Sequence, residues 1–195
     1  MSTCDQSFDT LLNDLHNSCS MSNIVYVVAG LFGVLALPGW WRLLGAGVLA
    51  EAVISFINHS NMNVGGISST MWNHMDVSVA VTGCVVMIAL VGIKHNKIPK
   101  RNIFICAAVF LTAILFFAFA TYEAQGLSRE GKKKDPIKTF GIGNPLAEEK
   151  ITPNYDSERH QALYLSYHTS WHVVSGMAIL VMLVVLTPAL KSNKN

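Results

Sequence analysis

Charge is what this sequence has least of. Lys, Arg, Asp and Glu together supply 13% of its 195 residues, where a soluble domain carries about 25%. The shortage falls in long uncharged runs, which argues against an ordinary water-soluble domain. The net charge is only +2. No stretch of Lys and Arg is interleaved with aromatics, so nucleic acid is excluded as a partner. A basic opening is missing too: residues 1–22 hold Asp5, Asp9 and Asp14 but no Lys or Arg. A secretory signal peptide begins with a basic stretch followed at once by an apolar one, and none is expected here. Cysteine is sparse and unpatterned. Cys4, Cys19, Cys84 and Cys106 form no CxxC pair and no zinc-finger spacing. Cys84 and Cys106 sit in apolar runs, where a thiol acts as a small hydrophobe. Cys4 and Cys19 lie in the polar opening segment, either as free thiols or as a disulfide in an oxidising compartment.

What is present is apolar, at 51% of residues. A membrane-spanning helix needs about 20 such residues in succession. Five runs qualify: residues 23–38, 41–59, 72–93, 102–124 and 162–190. The expected fold class is therefore all-α, an integral membrane helical bundle of five transmembrane helices. Pro38-Gly39 marks the first turn, and Trp40, Trp41 and Arg42 suit a membrane–water boundary. Before the first run, Phe8, Leu11, Leu12 and Leu15 recur at helical spacing, as in an amphipathic helix lying on a membrane. Between the fourth and fifth runs, residues 125–161 are rich in both charges and in Pro and Gly, and read as a polar loop. Residues 191–195 form a short tail.

Lys and Arg in short loops set orientation. Arg42, then Lys94, Lys97, Lys100 and Arg101, then Lys191 and Lys194 share one side of a five-helix topology. This favours a lumenal or extracellular N-terminus and a cytosolic C-terminus.

Ionisable residues inside transmembrane helices are costly and mark function by default. The second run carries Glu51, Ser55 and His59 at steps of four, on one face. The third opens with His74 and Asp76, and the fifth with His168 and His172, one helical turn apart. With alternating helices, His59, Asp76, His168 and His172 reach the same side of the membrane at similar depth. Two histidines at i and i+4 can hold a common metal. A third would complete a three-histidine zinc site whose fourth position is open to water, where the pKa of that water falls toward about 7. Asp76 would hold or deprotonate the water and Ser55 would hydrogen-bond it or an oxyanion. Glu51 and His74 are auxiliary candidates. Two other readings stay open: a polar cluster that joins the helices, and haem ligation.

SFINH (Ser55 to His59), NHMD ending on Asp76 and HTSWH (His168 to His172) resemble the three signature motifs of the CREST superfamily of membrane hydrolase-like proteins. That group includes alkaline ceramidases, progestin and adiponectin receptors, and myomaker-like proteins. The Ser22-Asn23 pair is similar to the ceramidases, whereas VVSG after HTSWH and FAF before Glu123 are more like the myomaker-like branch. The resemblance implies zinc held by His59, His168 and His172, with Ser55 and Asp76 as partners. It implies a membrane lipid as substrate or ligand, and hydrolysis of a lipid amide or ester in the enzymatic members. The non-enzymatic alternative is a receptor or membrane-remodelling protein with a structural zinc. The superfamily has seven helices, so five make this a shortened version, and the acidic calcium-site pattern of the ceramidases is not evident.

Overall fold

A computed structural model describes residues 18–60, 69–132 and 155–191. Its elements are helices α1 (Ile24–Ala36), α2 (Arg42–His59), α3 (Ser69–Lys94), α4 (Lys100–Lys132) and α5 (Tyr155–Lys191), with short 3-10 turns at Gly39–Trp41 and His95–Lys97. A further helical piece, residues 18–22, leads into α1 through a turn at Asn23. No strand occurs among the described residues. Five helices are long and apolar enough to cross a membrane, as expected of chains that must satisfy every backbone group internally in lipid.

Proline and glycine set the turns. Leu37 precedes Pro38 and is extended, at φ −75° and ψ 145°, because a following proline disfavours the helical region. Gly39 then takes φ 55°, a left-handed conformation open to glycine without steric cost. Ile98 before Pro99 is extended for the same reason, and the Pro99 carbonyl accepts the first amides of α4, from Asn102 and Ile103.

The helices outrun the apolar windows from which their ends were expected. The fourth continues from Ala124 to Lys132 and the fifth begins at Tyr155, so both ends of the expected 125–161 loop are helical. Polar residues such as Gln125 and Gln161 are good helix formers. What stops a helix is proline, and the nearest are Pro136 and Pro153. Hydropathy marks where the apolar run ends, and the helix continues beyond it. The third helix likewise starts at Ser69, earlier than expected. The expected amphipathic helix around residues 7–16 lies outside the described residues.

Helix α5 is the centre of the bundle, packing on α4, α1 and α3, while α1 and α2 pair closely. Glycine makes that pairing possible. A Cβ on Gly45 would lie 2.3 Å from the Val34 amide nitrogen and 2.5 Å from the Gly33 carbonyl carbon. Toward the C-terminal end of α5, Leu183 and Leu186 pack with Leu37, Met87, Leu90 and Cys106 in one apolar core. Nearer its start, Ala120, Tyr164 and Leu165 join α4 to α5. Beyond them His160 Nδ1 lies 2.6 Å from Glu123 Oε2, and Gly126 leaves room for the imidazole.

The distribution of polarity is inverted relative to a soluble protein. Large apolar side chains such as Leu35, Leu43, Ile93 and Phe104 point outward, each at least 70% exposed. Glu51, Ser55, Asn58, His59, Asp76 and His172 are buried. Apolar surface on this scale would be a liability in water; facing lipid, it is the expected exterior. Five candidate membrane-spanning helices around a polar interior fit a multi-pass membrane protein.

Candidate metal centre

The polar interior has a focus. His59 is the last residue of α2, and His168 and His172 are one turn apart on α5. His168 Nε2 lies 3.1 Å from His59 Nε2 and 3.0 Å from His172 Nε2. Nitrogens arranged tetrahedrally at about 2.0–2.1 Å from one zinc-sized ion would be separated by roughly 3.3 Å. Three imidazoles therefore present the same ring atom to a common point at nearly that spacing.

Each neutral ring has one N–H donor and one lone pair. His172 Nδ1 faces the side-chain oxygen of Asn23 at 2.9 Å and donates to it. That assigns the proton to Nδ1 and leaves the Nε2 lone pair directed at the other two histidines. A cation at the centre would take that lone pair together with those of His59 and His168. A hydrogen-bonded outer nitrogen is also the arrangement that fixes a metal-ligating histidine in most metal sites.

The cluster has a fourth member. Cys19, on the helical residues 18–22, brings its Sγ into the group, and all four candidate ligand atoms lie within 4.8 Å of one another. Cys19, His59 and His172 are buried, with His168 partly covered by Tyr164 and Trp171. These four residues could hold a metal ion. Cys19 was expected either free or paired with Cys4; it is a free thiol turned toward the histidines, and Cys4 lies outside the described residues.

Asp76 flanks the cluster. Its Oδ2 is 3.4 Å from His59 Nε2, the nitrogen that faces the other imidazoles, and accepts a hydrogen bond from Asn58 Nδ2 at 2.8 Å. Its Oδ1 is buried without a partner, as is Ser55 Oγ one helical turn from His59. Unpaired buried polar atoms are rare and costly, and two beside one candidate metal position mark where a polar ligand or water belongs. Glu51 is also buried, its carboxyl facing that of Asp76. His74 lies on the exposed side of α3 and outside the cluster. Three imidazole nitrogens this close leave no slot for a flat macrocycle, so the geometry suits a small ion better than haem. Asn23, Asn58 and Cys19 are the site residues that sequence reasoning did not assign. The chain matches no family model, no curated protein and no solved structure, so the chemistry of the site itself is the guide to function.

Proposed function

We propose that this chain is a zinc-dependent integral membrane hydrolase of the CREST type, acting on an amide or ester bond of a membrane lipid. The observation that carries the reading is the pair of unpartnered buried atoms, Ser55 Oγ and Asp76 Oδ1, beside the three converging Nε2 atoms. Imidazole and thiolate donors suit zinc, and the hard cations magnesium and calcium prefer oxygen. Zinc held by His59, His168 and His172 would polarise a carbonyl and acidify a water molecule.

The chain's own groups supply the rest. Asn58 ties down Asp76 Oδ2, which leaves Oδ1 to accept the proton of an attacking water as general base. Ser55 Oγ–H donates to the oxygen that gains charge as the carbonyl is attacked. Glu51, against Asp76, extends the polar path one turn deeper. The exposed apolar side chains around the bundle suit a bilayer lipid as substrate better than a polar metabolite.

Cys19 favours a second reading. A site with four protein ligands is closed, as structural zinc sites are, and the protein would then be a non-enzymatic receptor or membrane-remodelling factor. Purified protein of known zinc content, assayed with ceramides and ester lipids beside Asp76→Ala, separates the two. Turnover that disappears in the variant while zinc stays supports the hydrolase. A fully zinc-loaded protein with no turnover on either lipid class supports the structural role.

A further inference from the structure

The site contains more donors than one tetrahedral ion can use at once. His59, His168, His172 and Cys19 would fill all four positions. A filled site gives no role to the unpartnered Ser55 Oγ and Asp76 Oδ1 beside it. A free position would give both atoms a partner.

The four candidate ligands are not mounted alike. His168 and His172 lie within α5, which is packed by three neighbours. His59 ends α2, which is locked to α1 through Gly30, Gly33 and Gly45. Cys19 stands on the short helical piece before the turn at Asn23. Across that turn the Asn23 amide reaches the Ser20 carbonyl at 3.4 Å, Ser22 Oγ bonds the Cys19 carbonyl, and Asn23 Nδ2 bonds the Ser20 carbonyl at 3.2 Å. Asn23 itself is anchored to His172. Rotation about that junction moves Cys19 while Asn23 and the three histidines stay in place.

We infer that Cys19 is a displaceable fourth ligand, a thiol latch that closes the metal site when bound and opens a position beside Asp76 and Ser55 when it swings away. This rests on the zinc hydrolase reading for its consequence, but the ligation is testable without it. In the latched state the second reading describes the coordination; in the unlatched state the first does. The chain carries both, and the residues before α1 choose between them.

Cobalt is the probe. Full-length protein loaded with Co2+ alone is expected to show a near-ultraviolet sulfur-to-cobalt charge-transfer band. Cys19→Ser is expected to lose that band while still taking one cobalt per chain. With zinc, Cys19→Ser is expected to hydrolyse a short-chain fluorescent ceramide severalfold faster than the parent. An absent band in folded, cobalt-loaded parent protein would overturn the inference, as would a folded Cys19→Ser that takes no cobalt or hydrolyses no faster than an active parent. Iodoacetamide labelling of the unmutated protein gives a measure independent of the variant's folding. Carboxamidomethylation of Cys19 with cobalt retained shows a ligand that leaves on its own; labelling only as cobalt is lost shows one that does not, and the latch fails. A correct band and labelling pattern with no hydrolysis in either protein would end the hydrolase reading and leave the latch standing.

Discussion

Asn23 and His172 are 149 residues apart in sequence, yet the amide oxygen of one accepts the Nδ1 proton of the other at 2.9 Å. This bond orients the ring and directs its Nε2 at the cluster. Outer partners of this kind are worth about 10- to 100-fold in metal affinity. Asn23→Ala is expected to weaken zinc binding by about that factor, and Asn23→Asp, which keeps the acceptor, to recover most of it. A competitive chelator titration on folded protein measures both. Equal affinity in parent and Asn23→Ala would remove Asn23 from the site.

Metal content is the most direct check on the cluster. Elemental mass spectrometry of detergent-purified protein is expected to find close to one zinc per chain, and none in a His168→Ala, His172→Ala double variant of matched helicity. Zinc retained by the double variant would place the ion elsewhere.

Asp76 and Ser55 have separable roles under the proposed chemistry. Asp76→Ala is expected to abolish lipid hydrolysis with zinc retained, since the base is gone and the imidazoles remain. Ser55→Ala is expected to lower kcat with little change in KM, because its hydrogen bond strengthens only as charge develops. Loss of one oxyanion donor typically costs about 10²- to 10³-fold in kcat. An unchanged kcat in Ser55→Ala would exclude that role.

The α1–α2 contact predicts a sharp contrast between two glycines of the same helix. Gly45→Ala drives a methyl into the backbone of α1 and is expected to destabilise by about 1–3 kcal/mol or more. Gly47→Ala meets nothing within 4 Å and is expected to be neutral or to stabilise by up to about 1 kcal/mol, from helix propensity. Thermal unfolding in detergent, followed by circular dichroism, compares the two.

The Glu123–His160 pair gives a third stability test. His160→Ala leaves the carboxylate of Glu123, which is buried on α4, without its partner, at a cost of about 1–3 kcal/mol. The double variant Glu123→Leu, His160→Ala is expected to recover part of that loss. A double variant less stable than His160→Ala would contradict the assignment.

The sequence carried the plan of the bundle because the two strongest signals agree. Long uncharged runs gave five helices, and the steps of four in Ser55–His59 and His168–His172 put each pair on one face. The meeting of His59, His168 and His172 is legible from the end of the helix at which each one lies. The helix ends were less legible, because hydropathy reports the edge of lipid and helices such as α4 continue past it. Cys19 was hidden for a related reason. The polarity of residues 1–22 suggested a segment outside the bundle, whereas Cys19, Ser20 and Ser22 are drawn inside it by neighbours that are polar themselves. A side chain's burial depends on what lies across from it, and one chain's periodicity cannot report that.

The candidate ligands span the chain from Cys19 to His172, and that spread has a consequence for biosynthesis. The first helices are synthesised before either α5 histidine. A chain arrested between α4 and α5 offers only Cys19 and His59, too few to hold the ion. Metal capture by this set would therefore follow synthesis of α5, and the ion would report that the last described helix has docked against the first.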